Sequence, residues 1–166
     1  MSVAMRLRKR HEPVLTVPAA IDGASIVVVD DNAYIHMAVS AALPTARITE
    51  AWRVHELRAV VERDVPRAIV TSSRLPDGSG FDAIGELRAS PQLADAVVVA
   101  LTSAQIEWET VEAVAAGADA FLAKDGDYAL LAPIIDQLLE LAPEERARRR
   151  AAIAGSPIPL VGHAAG

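Results

Sequence analysis

The sequence predicts an α/β fold: an open, doubly wound sheet of five parallel strands with helices on both faces. Three observations carry that prediction. Short, continuous apolar runs recur between residues 24 and 141, each followed by a segment with helical spacing. The chain is 52% hydrophobic but only 4% aromatic, so its core is built from Val, Ile, Leu and Ala, which suits buried parallel strands under alanine-rich helices. Five such strand and helix pairs alternate, and alternation of this kind selects a parallel sheet.

The elements follow in order. Residues 1–23 lack periodicity and contain Pro13 and Pro18, which reads as a flexible basic leader. Ser25–Val29 is an apolar run ending in Asp30 and Asp31, a strand buried on both faces. Ala33–Leu43 is helical in composition and stops before Pro44. Ala46–Glu50 is a weak second strand, and Arg53–Arg63 a helix with Val54, Leu57, Val60 and Val61 on one stripe. Ala68–Ser72 is the third strand. Leu75–Gly80 is dense in turn formers, and a helix runs from Phe81 to about Ala89. Val97–Leu101 is the fourth strand, and Gln105–Ala116 a helix ended by Gly117. Ala120–Ala123 is the fifth strand, and Tyr128–Leu141 the last helix of the body, with Ile134, Ile135, Leu138 and Leu139 on one stripe. Residues 142–166 read as a tail, first rich in Arg and Ala with a helical stretch to about Ile153, then in Gly and Pro. Such a tail is too small and too poor in core residues to form an output domain.

Composition narrows the function. Residues 24–141 carry eight Lys/Arg against eighteen Asp/Glu, a net −10, while the two ends carry four basic and two acidic residues each. An acidic body repels nucleic-acid phosphates. The Arg6–Arg10 and Arg146–Arg150 clusters read as solvated tails rather than as contacts to an acidic partner. No apolar run reaches the ~18–20 residues of a membrane span, and no apolar stretch follows the basic N-terminus as in a secretory signal. The absence of cysteine excludes disulfides and thiolate metal sites and agrees with a reducing, cytoplasmic setting.

In an open parallel sheet the ligand site lies at the carboxyl ends of the strands, near the switch in strand order. The residues there are Asp30, Asp31, Ser72, Thr102 and Lys124. With their surroundings, VVVDDN (Val27–Asn32), the Leu75–Gly80 turn, ALTS (Ala100–Ser103) and AGADAFLAK (Ala116–Lys124), they resemble the successive signatures of response-regulator receiver domains. The resemblance runs from about Ala24 to Leu141. It implies a flavodoxin-like fold with strand order 2-1-3-4-5 and a role in two-component or phosphorelay signalling.

The resemblance also implies roles. Asp30 and Asp31 correspond to the family's acidic pair, a hard-oxygen site suited to Mg²⁺. Thr102 and Lys124 fit the hydroxyl and the ammonium that hold phosphoryl oxygens. Phe121 takes the position of the aromatic switch. The family's acceptor carboxylate falls on Ser72, three residues before Leu75 of the Leu-Pro pair, and serine cannot form an acyl phosphate. A hydroxyl without an adjacent base is also a poor nucleophile. Losing one of three carboxylates weakens any Mg²⁺ site and relieves like-charge repulsion, which frees Lys124 to pair with Asp30 or Asp31. No cofactor is required. Asp125 stands where the family commonly has proline, so the 124–125 bond is expected to be trans.

Each of these residues also has a plain structural reading. Asp30 and Asp31 end a strand and suit a helix cap. Thr102 is an ordinary strand-end hydroxyl, and Phe121 a core residue. Asp77 and Gly78 form a turn and a helix entry. Trp108, with Val111 and Ala115 at helical spacing, is placed beside the core, although Ile106 and Trp108 lie with Phe121 on the face the family uses for partners. His11 and His163 fall in the ends and His36 and His55 on separate helices, with no metal-ligand spacing and no assigned role.

The leading functional reading is a stand-alone pseudo-receiver. It is not an enzyme, and it acts by contact with a signalling protein or histidine kinase, or by self-association. The alternative is a cation- or small-ligand-responsive sensor that uses the residual acidic pocket. A hydrolase using Ser72 lacks a base at any strand end, and nucleic-acid binding would rest on the arginine-rich ends alone.

Overall fold

The computed structural model describes residues 20–91, 93–103 and 107–155. The elements are β1 (Ser25–Val29), α1 (Ala33–Ala42), β2 (Arg47–Ala51), α2 (Val54–Arg63), β3 (Ala68–Ser72), β4 (Arg74–Leu75), β5 (Gly78–Ser79), α3 (Gly80–Arg88), β6 (Val97–Thr102), α4 (Glu107–Ala115), β7 (Ala120–Ala123), α5 (Leu131–Glu140) and α6 (Pro143–Ala154). The two short strands β4 and β5 pair antiparallel as a separate hairpin within the predicted turn. The main sheet is parallel in the order β2-β1-β3-β6-β7, which is the expected 2-1-3-4-5 once the hairpin is left out of the count.

Strand side chains alternate between two cores, as a period of two requires. Val27, Val29, Ile69, Val98 and Ala100 pack beneath α2, α3 and α4 with Leu57, Val61, Phe81 and Ile84. Ile26, Val28, Val70, Val97, Val99 and Leu101 pack beneath α1 and α5 with Ile35, Val39, Leu131 and Ile135. The three central strands are therefore buried on both faces, and their runs read as uninterrupted apolar sequence.

Both ends of the predicted body need correction. Ile21 is buried in the core and the N–H of Ala20 donates to Asp136 Oδ1 at 2.9 Å, so ordered packing begins before residue 24. Past residue 141 the chain forms α6, which packs against α4 instead of trailing into solvent. Arg146 is buried, and its guanidinium donates to the carbonyls of Leu138 and Leu141, at the C-terminal end of α5, and of Asp95. These three carbonyls draw the arginine inward. Arg150 reaches Asp119 at 2.6 Å. The solvated-tail reading therefore fails for Arg146 and Arg150 and holds for Arg148 and Arg149, which are exposed and paired with Glu145. Residues 1–19 and 156–166, with the Arg6–Arg10 cluster, lie outside the described residues. Among the described residues no helix is long and apolar enough to cross a membrane.

Candidate site at the carboxyl end of the sheet

The order of the sheet reverses between β1 and β3, whose carboxyl ends lie side by side. Asp30 follows the last residue of β1, and Ser72 is the last residue of β3. Both are fully buried. Ser72 Oγ donates a hydrogen bond to Asp30 Oδ2. Lys124, following β7, places Nζ 3.1 Å from the same oxygen. The other oxygen, Oδ1, accepts the Asn32 N–H at 2.7 Å. One carboxylate thus takes three donors, the arrangement that makes a buried charge tolerable. Lys124 keeps 32% of its side chain in solvent, so the cation enters from the open side. Its backbone N–H is tied to the Thr102 carbonyl at 2.9 Å, and its peptide bond to Asp125 is trans as expected.

The sequence-predicted residues divide. Asp30, Ser72 and Lys124 meet directly. Thr102 is buried at the end of β6, beside the β7 strand that leads into Lys124. Asp31 is exposed, outside the contact that Asp30 makes. Phe121 is half-buried and packs on the core beneath α2, α3 and α4. Ile106 lies outside the described residues. Trp108 is a correction: it is 45% exposed, Val111 is more exposed still, and the guanidinium of Arg74 lies over the indole at 5.3 Å. The inward positions of α4 belong to Glu109 and Ala113.

Several supporting residues carry no recognisable sequence signal. His36 is buried on α1, and its Nε2 donates to the Asp30 carbonyl at 2.8 Å while its ring lies 4.1 Å from that of Trp52. A carbonyl only accepts, so the proton sits on Nε2. Gly80 approaches β3 so closely that a Cβ there would collide with the Ser72 carbonyl and the Thr71 hydroxyl. Asp77 is more than a turn residue. It caps α2 from outside, accepting from the N–H groups of Val54 and His55 at 2.7 and 3.1 Å and contacting His55 Nδ1 at 2.8 Å. Arg53, at the N-cap of α2, supplies no side-chain cap of its own, so Asp77 fills that role. Desolvation pushes the Asp77 carboxyl up, but the His55 and Val54 N–H groups and the imidazole outweigh it and hold the group at about 2. Tyr128 donates its hydroxyl to the Lys124 carbonyl at 3.0 Å. Burial first, then the negative charge of Asp30 and the proximity of Tyr34 and Asp125, pushes its phenol up to about 12.

Comparison with known proteins agrees with the fold. Residues 26–136 match the family described as the response regulator receiver domain. Among solved structures, the receiver domain of a sensor histidine kinase from Pseudomonas aeruginosa, with a magnesium ion coordinated in its active-site cleft, is similar at 26% identity and a TM-score of 0.66, over 72% of this chain and 99% of that one. A chemotaxis response regulator of Vibrio cholerae shares the fold at 22% identity and a TM-score of 0.63, over 69% of this chain and 98% of that one. An uncharacterised 14.6 kDa protein of Leptolyngbya boryana is 28% identical over 92 residues, covering 55% of this chain and 70% of that protein.

Proposed function

The chain belongs to the response regulator receiver family, and we propose that within it the protein is a pseudo-receiver, a non-enzymatic signalling module that works by protein contact without aspartyl phosphorylation. One observation carries this reading. Ser72, at the acceptor position implied by the Leu75-Pro76 pair, spends its hydroxyl proton on Asp30 while Lys124 closes onto the same oxygen. A neutral hydroxyl stands where the chemistry needs a carboxylate nucleophile, and it is fully buried.

The residues present do not suit Mg²⁺, which keeps near-octahedral oxygen ligands. Both oxygens of Asp30 already accept protein donors, Asp31 is exposed, and among the described residues no three His, Cys, Asp or Glu side chains converge to hold a metal. The magnesium seen in the Pseudomonas aeruginosa domain therefore has no equivalent role in this reading.

Output then passes through surface contacts with a signalling protein, a histidine kinase or a second copy. Among the described residues the exposed large apolar side chains include Trp108 and Val111 on α4 and Tyr34 and Met37 on α1.

Amide NMR tests the reading. Spectra are recorded on the protein alone, with Mg²⁺, and with Mg²⁺ plus beryllofluoride, beside a Ser72→Asp variant as positive control. The pseudo-receiver reading expects no shifts at Asp30, Ser72, Thr102 or Lys124 in the natural chain and new shifts in the variant. Beryllofluoride shifts that reach Phe121 in the natural chain would overturn it, and shifts with Mg²⁺ alone would favour the cation-responsive sensor.

A further inference from the structure

Residues Ser72, Ser73 and Arg74 make three consecutive long-range contacts. Ser72 bonds Asp30 at the pocket. Ser73 Oγ donates to Glu109 Oε1 at 2.7 Å. Arg74 lays its guanidinium over Trp108. The second and third contacts both land on α4, one on its buried side and one on its surface.

Glu109 is the unusual member. It sits in the first turn of α4, yet it is 3% exposed. A buried carboxylate persists only where donors replace the water it has lost. Here Ser73 supplies one, and the Ser103 N–H supplies the other to Oε2 at 2.6 Å. Ser73 directly follows β3 and Ser103 directly follows β6, which are neighbours in the sheet. A single carboxylate therefore ties two adjacent strand ends to one helix. Ser73 is fixed from its other side as well, its carbonyl accepting the Gly80 N–H at the start of α3.

We propose that Glu109 is a latch that sets the position of α4 against the ends of β3 and β6, so that α4 moves with residues 72–74 as one unit. The latch holds Trp108 in place beneath Arg74 and fixes how the exposed face of α4 is presented. It uses no phosphoryl group or metal, and it stands whether or not the pseudo-receiver reading does.

The test uses the full chain with Ser73→Ala, Glu109→Ala, the double variant and Glu109→Gln. The readouts are the Trp108 indole N–H resonance and the hydrogen exchange of the Ser103 amide. Each alanine variant is expected to shift the indole signal and to speed exchange at Ser103 by about tenfold, since a buried donor or acceptor loses its partner. The double variant should do little more than Glu109→Ala alone, because Glu109→Ala already removes the one contact that Ser73→Ala removes. Glu109→Gln should stay close to the natural chain, as its amide oxygen accepts from the Ser103 N–H and its amide N–H donates to Ser73 Oγ, which then turns acceptor. An unmoved Trp108 signal in Ser73→Ala, or fully additive effects in the double variant, would overturn the latch. Ser73→Ala removes one oxygen, so it decides the matter even if Glu109→Ala does not fold.

Discussion

Two buried aspartates sit at opposite ends of the sheet, and the cations that face them differ in kind. Asp30, at the carboxyl end, takes one lysine, a serine hydroxyl and a backbone N–H. Asp119, just before β7 at the amino end, takes two arginines and the Val98 N–H. Arg88 also donates to the carbonyls of Leu93, Ala94, Ala96 and Gly117, so it stitches the 93–96 loop to the end of α4. Burial lowers the Arg88 pKa, and the charge of Asp119 works against that shift. Arginine presents a rigid fork of donors, whereas lysine is a point charge on a flexible stem. The amino end is a fastening, with its arginines 12% and 18% exposed; the carboxyl end is a contact that solvent reaches and that one side chain can release. This division matches the general placement of ligand chemistry at the carboxyl ends of open parallel sheets.

The contrast is open to measurement. Asp119→Ala leaves two largely buried guanidinium groups and the Val98 N–H without their carboxylate, and it should destabilise the fold by about 3–5 kcal/mol in urea denaturation. Lys124→Ala should cost only about 1–2 kcal/mol, because Asp30 keeps Ser72 and Asn32 as donors and solvent replaces part of the lysine. Equal losses in the two variants would erase the distinction between the two ends.

The smallest effect concerns Tyr128, whose hydroxyl props the Lys124 carbonyl. Its folded pKa of about 12 lies above the ordinary value of 10.0, so the folded chain holds the phenolic proton more tightly than the unfolded one. The resulting stability is fully present below pH ~10 and is lost as pH rises towards 12. Melting temperatures followed up to pH 12 should fall less steeply in Tyr128→Phe than in the natural chain. An identical slope would show that this side chain does not report on the pocket.

Where the sequence is explicit, it is explicit for local reasons. The bounds of β3 agree with the apolar run that marks it, because a central strand writes its burial into consecutive residues. The edge strand β2 is largely exposed, so its pattern is faint and its limits fall one residue from the expected ones. Asp30, Ser72 and Lys124 were legible as a group because each ends or directly follows a strand. Glu109 and Arg146 were not. Periodicity assigns a carboxylate or a guanidinium to solvent, while the groups that draw these two inward come from distant segments: Ser73 and Ser103 for one, Asp95 and the end of α5 for the other. Reading Trp108 as buried is the same error in reverse, since the carboxylate one residue later takes the inward place. Asp77 was recognised as a turn former, but its cap on α2 lies more than twenty residues away and leaves no local trace.

The stacking of His36 on Trp52 has an optical consequence. The imidazole braces the Asp30 carbonyl on one side and lies against the indole on the other. Indole emission responds to the distance and angle of such a neighbour, so a displacement at the end of β1 changes the light that Trp52 emits. The chain therefore contains an intrinsic fluorophore beside its pocket, and events there can be followed without attaching a dye.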